Sequence, residues 1–356
     1  MSDVRISHKE LRKFIVSIFQ KNGSLPKEAE NIAKYLIKAN LRGHDSHGVV
    51  RVPAYIEWSR KKMVFANKHI TIISKNGPHA VVDGNLGFGQ IVAEEAVDLG
   101  ICMARKKGSS MIAFRNAGHL GCIGDWALRA GDARLVSIHF VKSPSILTAP
   151  FGGRDRRLSS NPIAIGIPQK DGRHLVLDMA TSKIAEGKIM VAKNNHTLVP
   201  QNTILDGYGR NTRNPNKFYK NPLGSILPFG EHKGYVLSIM CDILGGVLSG
   251  TGSSGSYDFE RGGTFASGMF SIYINPNIFC KRDNFQKEIR RLERWIKKSS
   301  SKKSNTQGIF MPGEKETKIQ QERTKSGIPL DNKTIGEIIK VAASVNVRQE
   351  FPGTSR

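Results

Sequence analysis

Thiol chemistry is nearly absent from this chain: its 356 residues include four cysteines, Cys102, Cys122, Cys241 and Cys280, with no CxxC pair and no regular spacing. That excludes a disulfide framework and a thiolate zinc site, and it fits a reducing compartment. Also missing is any uninterrupted apolar run approaching the ~18 residues that a membrane span requires, and the opening MSDVRISHKE is polar from its second residue. A cytoplasmic protein with no membrane partner is therefore expected. Acidic residues are in short supply, 30 against 54 Lys and Arg, for a formal net charge of +24. Residues 281–303 concentrate part of that excess, with ten basic side chains against three acidic ones. Phe285, Ile289, Leu292 and Ile296 recur there at helical spacing, which predicts a helix with its charges turned outward. No RNA-recognition, KH, zinc-finger or aromatic-interleaved basic motif accompanies them. Nucleic acid is thus not the expected partner, and attraction of small anions is the simpler use of the charge.

What is present divides by texture. Leu11, Phe14, Ile15, Ile18 and Phe19 follow Ser7 and Glu10, which stand at capping-box spacing, and predict an amphipathic helix ending near Gly23. A second helix is expected after Ser24, with Pro26 in its first turn and Gly43 supplying the left-handed residue that stops it. From about residue 70, short β-branched runs alternate with helical stretches: 70–73, 80–82, 111–114, 135–141, 163–167, 175–177 and 269–274 read as strands, and 90–106, 126–133, 234–248 and 332–345 as helices. Residues 194–222, polar and rich in Asn and Pro, read as loop.

Two polar clusters carry candidate chemistry. At the end of the second helix, Arg42-Gly-His44-Asp45-Ser46-His47-Gly-Val-Val-Arg51 gathers imidazoles, a carboxylate and a guanidinium. Consecutive Asp45-Ser46-His47 side chains point in different directions, so they do not form a hydrolytic triad. His44 and His47 lack a third metal ligand at a suitable spacing, and no metal is expected. An anionic substrate suits the cluster better: Arg51 grips a carboxylate with paired hydrogen bonds while an imidazole reaches the neighbouring oxygen. The plain alternative is a polar helix cap with Arg51 in a surface ion pair. The second cluster, Asn116-Ala-Gly118-His119-Leu-Gly121-Cys122-Ile123-Gly124, directly follows a predicted strand. Loops at strand carboxyl ends hold the reactive groups of α/β enzymes, and an imidazole there can exchange a proton with a ketone or alcohol oxygen. A histidine that merely satisfies a turn is the alternative. No GxGxxG motif opens a βαβ unit, so a standard Rossmann site is not supported.

Taken in order, Ala39-Asn-Leu-Arg-Gly-His44-Asp-Ser-His47-Gly, Val136 to Val141, Ala149-Pro-Phe-Gly-Gly-Arg-Asp155, Glu231-His-Lys-Gly-Tyr235 with Leu244 to Gly250, Pro312-Gly-Glu314 and Gly327-Ile-Pro-Leu-Asp331 resemble the malate/L-lactate dehydrogenase family. This family is distinct from the Rossmann-type enzymes and also holds ureidoglycolate and sulfolactate dehydrogenases. The resemblance implies an α/β fold with a non-Rossmann mixed β-sheet flanked by helices, and a helical portion built from both chain termini. The expected division is 1–75 (helical, with substrate and nicotinamide-site residues), 76–280 (α/β, NAD(P)-binding) and 281–356 (helical, packing with the N-terminal part). A homodimer is implied, as is reversible reduction of 2-oxo acids with NAD or NADP, NAD being favoured. By position, His119 matches the proton donor/acceptor, His47 lies beside nicotinamide and substrate, and Arg51 holds the substrate carboxylate. The matching cofactor contacts are His47, Gly121, Cys122, Ile123, Val176, Leu177, Asp178, Met179, Ala180, His232, Ser267, Gly313, Glu314, Lys315 and Glu316. Ser159 and Glu186 depart from the pattern. Two rival activities are reduction of cyclic imino acids by the same hydride chemistry, and nucleic-acid binding by an inactive scaffold.

Overall fold

A computed structural model describes residues 4–256, 266–300 and 308–353. A short strand β1 (Val4–Ile6) leads into helices α1 (His8–Lys21) and α2 (Pro26–Leu41). Two single turns of 3-10 helix, Asp45–His47 and Val49–Arg51, then precede α3 (Val52–Arg60). The five apolar positions read from the sequence are the buried face of α1. The capping box does not form: Ser7 stands at the N-cap, yet its side chain makes no capping bond. The paired backbone of β1 leads straight into the helix instead. Pro26 occupies the first turn of α2, and Gly43, with φ +82°, follows its end as expected.

The middle of the chain alternates between β2 (Thr71–Asn76), β3 (His79–Asp83), α4 (Gly89–Lys107), β4 (Ser109–Ala117), α5 (Gly124–Asp132), β5 (Val136–Lys142), β6 (Ile163–Ile167) and β7 (Leu175–Met179). Next come α6 (Glu186–Asn194), β8 (Ile204–Leu205), β9 (Asn211–Thr212), α7 (Pro215–Tyr219), β10 (Ser225–Ile226), α8 (His232–Asp242) with a π-helical turn at Ile243–Leu248, and β11 (Ser267–Ile274). The chain closes with α9 (Arg282–Lys297), α10 (Glu314–Ser326), β12 (Ile328–Leu330) and α11 (Asn332–Ser344). Seven strands form one mixed sheet in the order β2-β3-β4-β11-β5-β6-β7, in which β3 and β4 run parallel and the other pairs antiparallel.

That register fixes where the site must lie. Ala117, the last residue of β4, faces Ser267, the first of β11, and Lys142, the last of β5, faces Gly268. Ile163 at the start of β6 faces Met179 at the end of β7. The loops that leave β4, β5 and β7 therefore emerge at one edge of the sheet, so positions far apart in sequence become neighbours.

The chain ends build a core of their own. β1 pairs antiparallel with β12, and one buried cluster joins Leu11, Ile15, Phe19, Ile32 and Tyr55 to Ile328, Ile335 and Ile338. Phe19 meets Tyr55 and Phe88 edge-on, with ring centroids 6.3 and 5.7 Å apart. Such pairs contribute roughly 0.5–1.5 kcal/mol each beyond their buried area.

Three expectations change. Residues 194–222 are not plain loop: they form α7 and strands β8 and β9, which join β10 in a small sheet over a core of Ile184, Ile189, Val199, Ile204, Phe218 and Ile226. Apolar residues this sparse show no period in sequence and are gathered by the fold. The large sheet begins before residue 76, at β2. Finally, α9 does not join the N-terminal helices but lies against the loop between β6 and β7, where Gln286 Nε2 donates to Pro168 O at 2.8 Å and Lys170 N donates to Gln286 Oε1 at 3.0 Å. Of its apolar residues, Phe285, Ile289 and Ile296 are half-buried while Leu292 and Trp295 are exposed, and Lys302 and Lys303 of the basic segment lie outside the described residues. Among the described residues no helix is long and apolar enough to cross a membrane.

Candidate active site

His119 sits on the loop after β4, and backbone contacts fix that loop against the start of α4. Gly118 N donates to Gly87 O at 2.9 Å, and Trp126 Nε1 donates to Leu120 O at 3.2 Å. A side chain at Gly89 would meet the His119 carbonyl oxygen at 2.1 Å, so only glycine permits this approach. The turn carrying His47 is pinned from two sides. Asn40 Nδ2 donates to Asp45 Oδ1 at 2.7 Å, and Arg323 of α10 donates to both Asp45 oxygens at 2.6 and 3.1 Å. Asp45 is thus committed to an ion pair, which agrees with discounting Asp45-Ser46-His47 as a triad.

These two loops, more than seventy positions apart in sequence, bring the imidazoles of His47 and His119 into a parallel stack with centroids 5.3 Å apart and an interplanar angle of 9°. Both rings line a cavity of about 390 Å³ with Arg51, Trp58, Gly121, Ile123, Ser143, Asp178, Met179, Ala180, Glu186, Lys188 and Ser267. Burial holds the His47 imidazole down at about 3, with Arg51, His44 and Lys188 adding to the effect. Burial, then His47 and Arg51, likewise depress His119 well below the ordinary histidine range. Two stacked rings beside a guanidinium resist gaining charge, so without a ligand both are neutral at neutral pH. An anion bound to Arg51 would offset that guanidinium and ease protonation. Arg51 itself is oriented by donation from its Nε to Ser46 O at 2.7 Å.

A second cavity, of about 370 Å³, shares His44, Asp178 and Met179 with the first, so the two adjoin at those residues. Its lining includes Arg42, Cys122, Gly124, Asp125, Val176, Leu177, Pro312, Gly313, Lys315 and Glu316. Two helix N-termini, those of α5 and α10, open into it. Gly313, at φ +91° ahead of α10, carries no side chain to block the entrance; a Cβ there would stand 3.2 Å from His174 O. The N-terminus of α5 is already capped, Gly124 N donating to Asp178 Oδ2 at 2.8 Å, so it is the start of α10 that favours an anion like a diphosphate, while the other oxygen of Asp178 and the Glu316 carboxylate suit ribose hydroxyls. An elongated dinucleotide therefore fits the chemistry of this cleft.

Most of the residues read from the sequence meet here. His47, Arg51, His119, Gly121, Ile123, Ala180 and Ser267 line the first cavity; Cys122, Val176, Leu177, Gly313, Lys315 and Glu316 line the second; Asp178 and Met179 line both. Burial pushes the Cys122 thiol well up, and it is no nucleophile. Glu314 stands apart from the cleft: it accepts from Met311 N at 2.8 Å and pairs with Lys297. His232 is not brought to either cavity, because it begins α8 as an exposed side chain, its ring edge-on to Phe151 at 6.1 Å. Glu186, a departure from the pattern, accepts from Tyr219 Oη at 2.7 Å. Sequence reasoning gave no role to Tyr55, whose Oη stands 2.7 Å from His119 Nδ1, nor to Gln90, whose Nε2 donates to that hydroxyl at 2.7 Å. Tyr55 follows Arg51 at helical spacing, a usable signal; a glutamine at a helix start gives none. Among the described residues no cluster of side chains could hold a metal ion.

The sequence profile of the malate/L-lactate dehydrogenase family matches residues 6–339. The chain belongs to the malate/L-lactate dehydrogenase family. Within this family it is 39% identical over 350 residues to hydroxycarboxylate dehydrogenase B of Escherichia coli (strain K12), covering 97% of this chain and 96% of that protein. The solved structure of sulfolactate dehydrogenase from Methanocaldococcus jannaschii superposes with a TM-score of 0.83 at 30% identity, over 97% of this chain and 98% of that one. Delta1-piperideine-2-carboxylate reductase from Pseudomonas syringae pvar. tomato superposes with a TM-score of 0.82 at 25% identity, over 95% and 100% respectively. The non-Rossmann mixed sheet flanked by helices is the fold of the family.

Proposed function

We propose that this protein is an NAD(P)-dependent 2-hydroxycarboxylate dehydrogenase, or in reverse a 2-oxo acid reductase. The observation that carries the reading is the His47–His119 stack beside Arg51 in a cavity that adjoins the glycine-lined one. Arg51 binds the carboxylate of a 2-oxo acid and thereby places its carbonyl oxygen toward His119. Phosphates would lie at the N-terminus of α10, and ribose hydroxyls at Asp178 and Glu316. A 2′-phosphate would meet those carboxylates, which favours NAD over NADP. When bound in its reduced form, the nicotinamide supplies a hydride to the carbonyl carbon. His119, protonated once the substrate anion offsets Arg51, gives its Nε2 proton to the carbonyl oxygen as the C=O π-bond breaks, yielding the 2-hydroxy acid. His47 packs against the reacting imidazole and keeps water from that face.

The relative from Pseudomonas supports a second reading, reduction of a cyclic imino acid, in which the acceptor is a C=N carbon. A homodimer is part of the proposal, with the exposed apolar row Val236, Met240, Ile243 and Val247 covered by a second copy, as is a cytoplasmic site of action. The test follows loss of reduced-nicotinamide absorbance, using NADH and NADPH against 2-oxo acids and cyclic imines. Turnover with 2-oxo acids is expected; turnover with imines alone would favour the second reading, and none with either would refute the proposal.

A further inference from the structure

The two nitrogens of His119 have different surroundings. Nε2 is left to the cleft, while Nδ1 faces inward to Tyr55 Oη at 2.7 Å, and that oxygen accepts from Gln90 Nε2 at 2.7 Å. Tyr55 and Gln90 are each 1% exposed, so water does not substitute for these bonds. Gln90 Oε1 is buried with no hydrogen-bond partner. Since Gln90 donates to the tyrosine oxygen, the tyrosine proton points at Nδ1, and a neutral His119 carries its own proton on Nε2.

Reversing the chemistry exposes a problem that the unpartnered atom solves. A protonated imidazole has hydrogen on both nitrogens, so Nδ1 can no longer accept from Tyr55. The tyrosine oxygen must then accept from Nδ1–H, and its own proton needs another acceptor. Half a turn of the Gln90 amide presents Oε1 to that hydroxyl in nearly the same volume. Both orientations make the same number of hydrogen bonds along the chain, so the turn of the amide loses none. Burial raises the acidity threshold of Tyr55, so the group in the chain stays a hydroxyl throughout.

We propose that Tyr55 and Gln90 are positioning residues that act as a hydrogen-bond switch, holding the His119 ring in one orientation through both of its protonation states. The inference rests on the proposed role of His119 as proton donor. The titratable and charged groups facing the ring are His47 and Arg51, with the Cys122 thiol near Tyr55 and with His44, Asp178, Lys183, Glu186 and Lys188 across the cavity. None of these reaches Nδ1 as Tyr55 does.

Histidine-selective ¹⁵N NMR of the full-length protein tests this without any need for activity, and the pH profile of kcat/KM for reduction reads its consequence. Neutral His119 is expected as a single Nε2–H tautomer, becoming a mixture in Tyr55→Phe. Gln90→Glu offers a permanent acceptor to the tyrosine proton, so Nδ1–H is always accommodated: the His119 pKa and the descending limb of the reduction profile should rise by about one pH unit, tenfold in protonated population. Gln90→Met, matched in size and lacking the acceptor, should not raise either. A wild-type Nδ1–H tautomer, or Gln90→Glu and Gln90→Met with the same His119 pKa, would overturn the switch. If wild-type protein turned over neither oxo acids nor imines, the proposed function would fail while the NMR still decided the switch.

Discussion

At the scale of single residues, the site separates holding from proton transfer. Arg51 is placed to hold an anion, so Arg51→Gln should raise KM for the oxo acid by roughly 10²-fold or more while leaving cofactor affinity near its original value. His119→Ala should lower kcat by roughly 10²–10⁴, again with cofactor affinity kept. Steady-state kinetics with dinucleotide binding by fluorescence checks both; a His119→Ala variant with full turnover would remove the histidine from the mechanism. Of these residues, His119 was legible because glycines flank it after a strand, and Arg51 because it follows a helix end. Tyr55 and Gln90 were not, since nothing local tells a buried polar side chain that serves a distant imidazole from one that satisfies its own helix.

Among the elements, the closest tolerance lies where α4 starts against the His119 loop. Gly89→Ala would set a methyl group 2.1 Å from the His119 carbonyl oxygen, so the loop must shift. The expected result is a loss of kcat of at least tenfold with little change in the far-ultraviolet circular dichroism, since displacements near 1 Å cost about 10²-fold at reacting centres. Helix α10 links the two cavities: its first residues line the second one and its Arg323 holds Asp45 on the His47 turn. Arg323→Gln should therefore weaken substrate and cofactor binding together, and should destabilise the fold by about 1.5–3 kcal/mol in urea titration, the range for hydrogen bonds to charged groups. The helices of the N-terminal part were readable from their periodic faces. The small sheet of β8, β9 and β10 was not, because strands of two residues leave no period to read.

For the molecule as a whole, three imidazoles, that of His139 in the core and those of His47 and His119 half-buried in the cleft, govern behaviour in mild acid. His47 and His139 are pushed down to about 3 by burial, and His119 well below its ordinary range by the same cause. Each takes up a proton near pH 6.5 when unfolded but not when folded, so the unfolded chain binds more protons between those values. Stability is then fully present above about pH 6.5 and is lost as pH falls toward 3. Tm measured from pH 7.5 to 4.5 should begin to drop near pH 6, above the range where carboxylates titrate. A Tm unchanged down to pH 5 would show that the histidines do not resist protonation.

Sequence alone determined the family, the alternation of strands and helices, and the motifs that hold the side chains proposed for proton transfer and anion binding, because those depend on local period, turn chemistry and motif order. Only the tertiary structure decided that β11 enters between β4 and β5, which sets Ser267 beside the loop after β4. It also decided that His47 stacks on His119, that Arg323 reaches Asp45, and that Gln90 backs Tyr55. Each is a contact between segments far apart along the chain. Such contacts follow from the one arrangement that buries both apolar cores together and pairs the backbone, and no residue carries a mark of its distant partner.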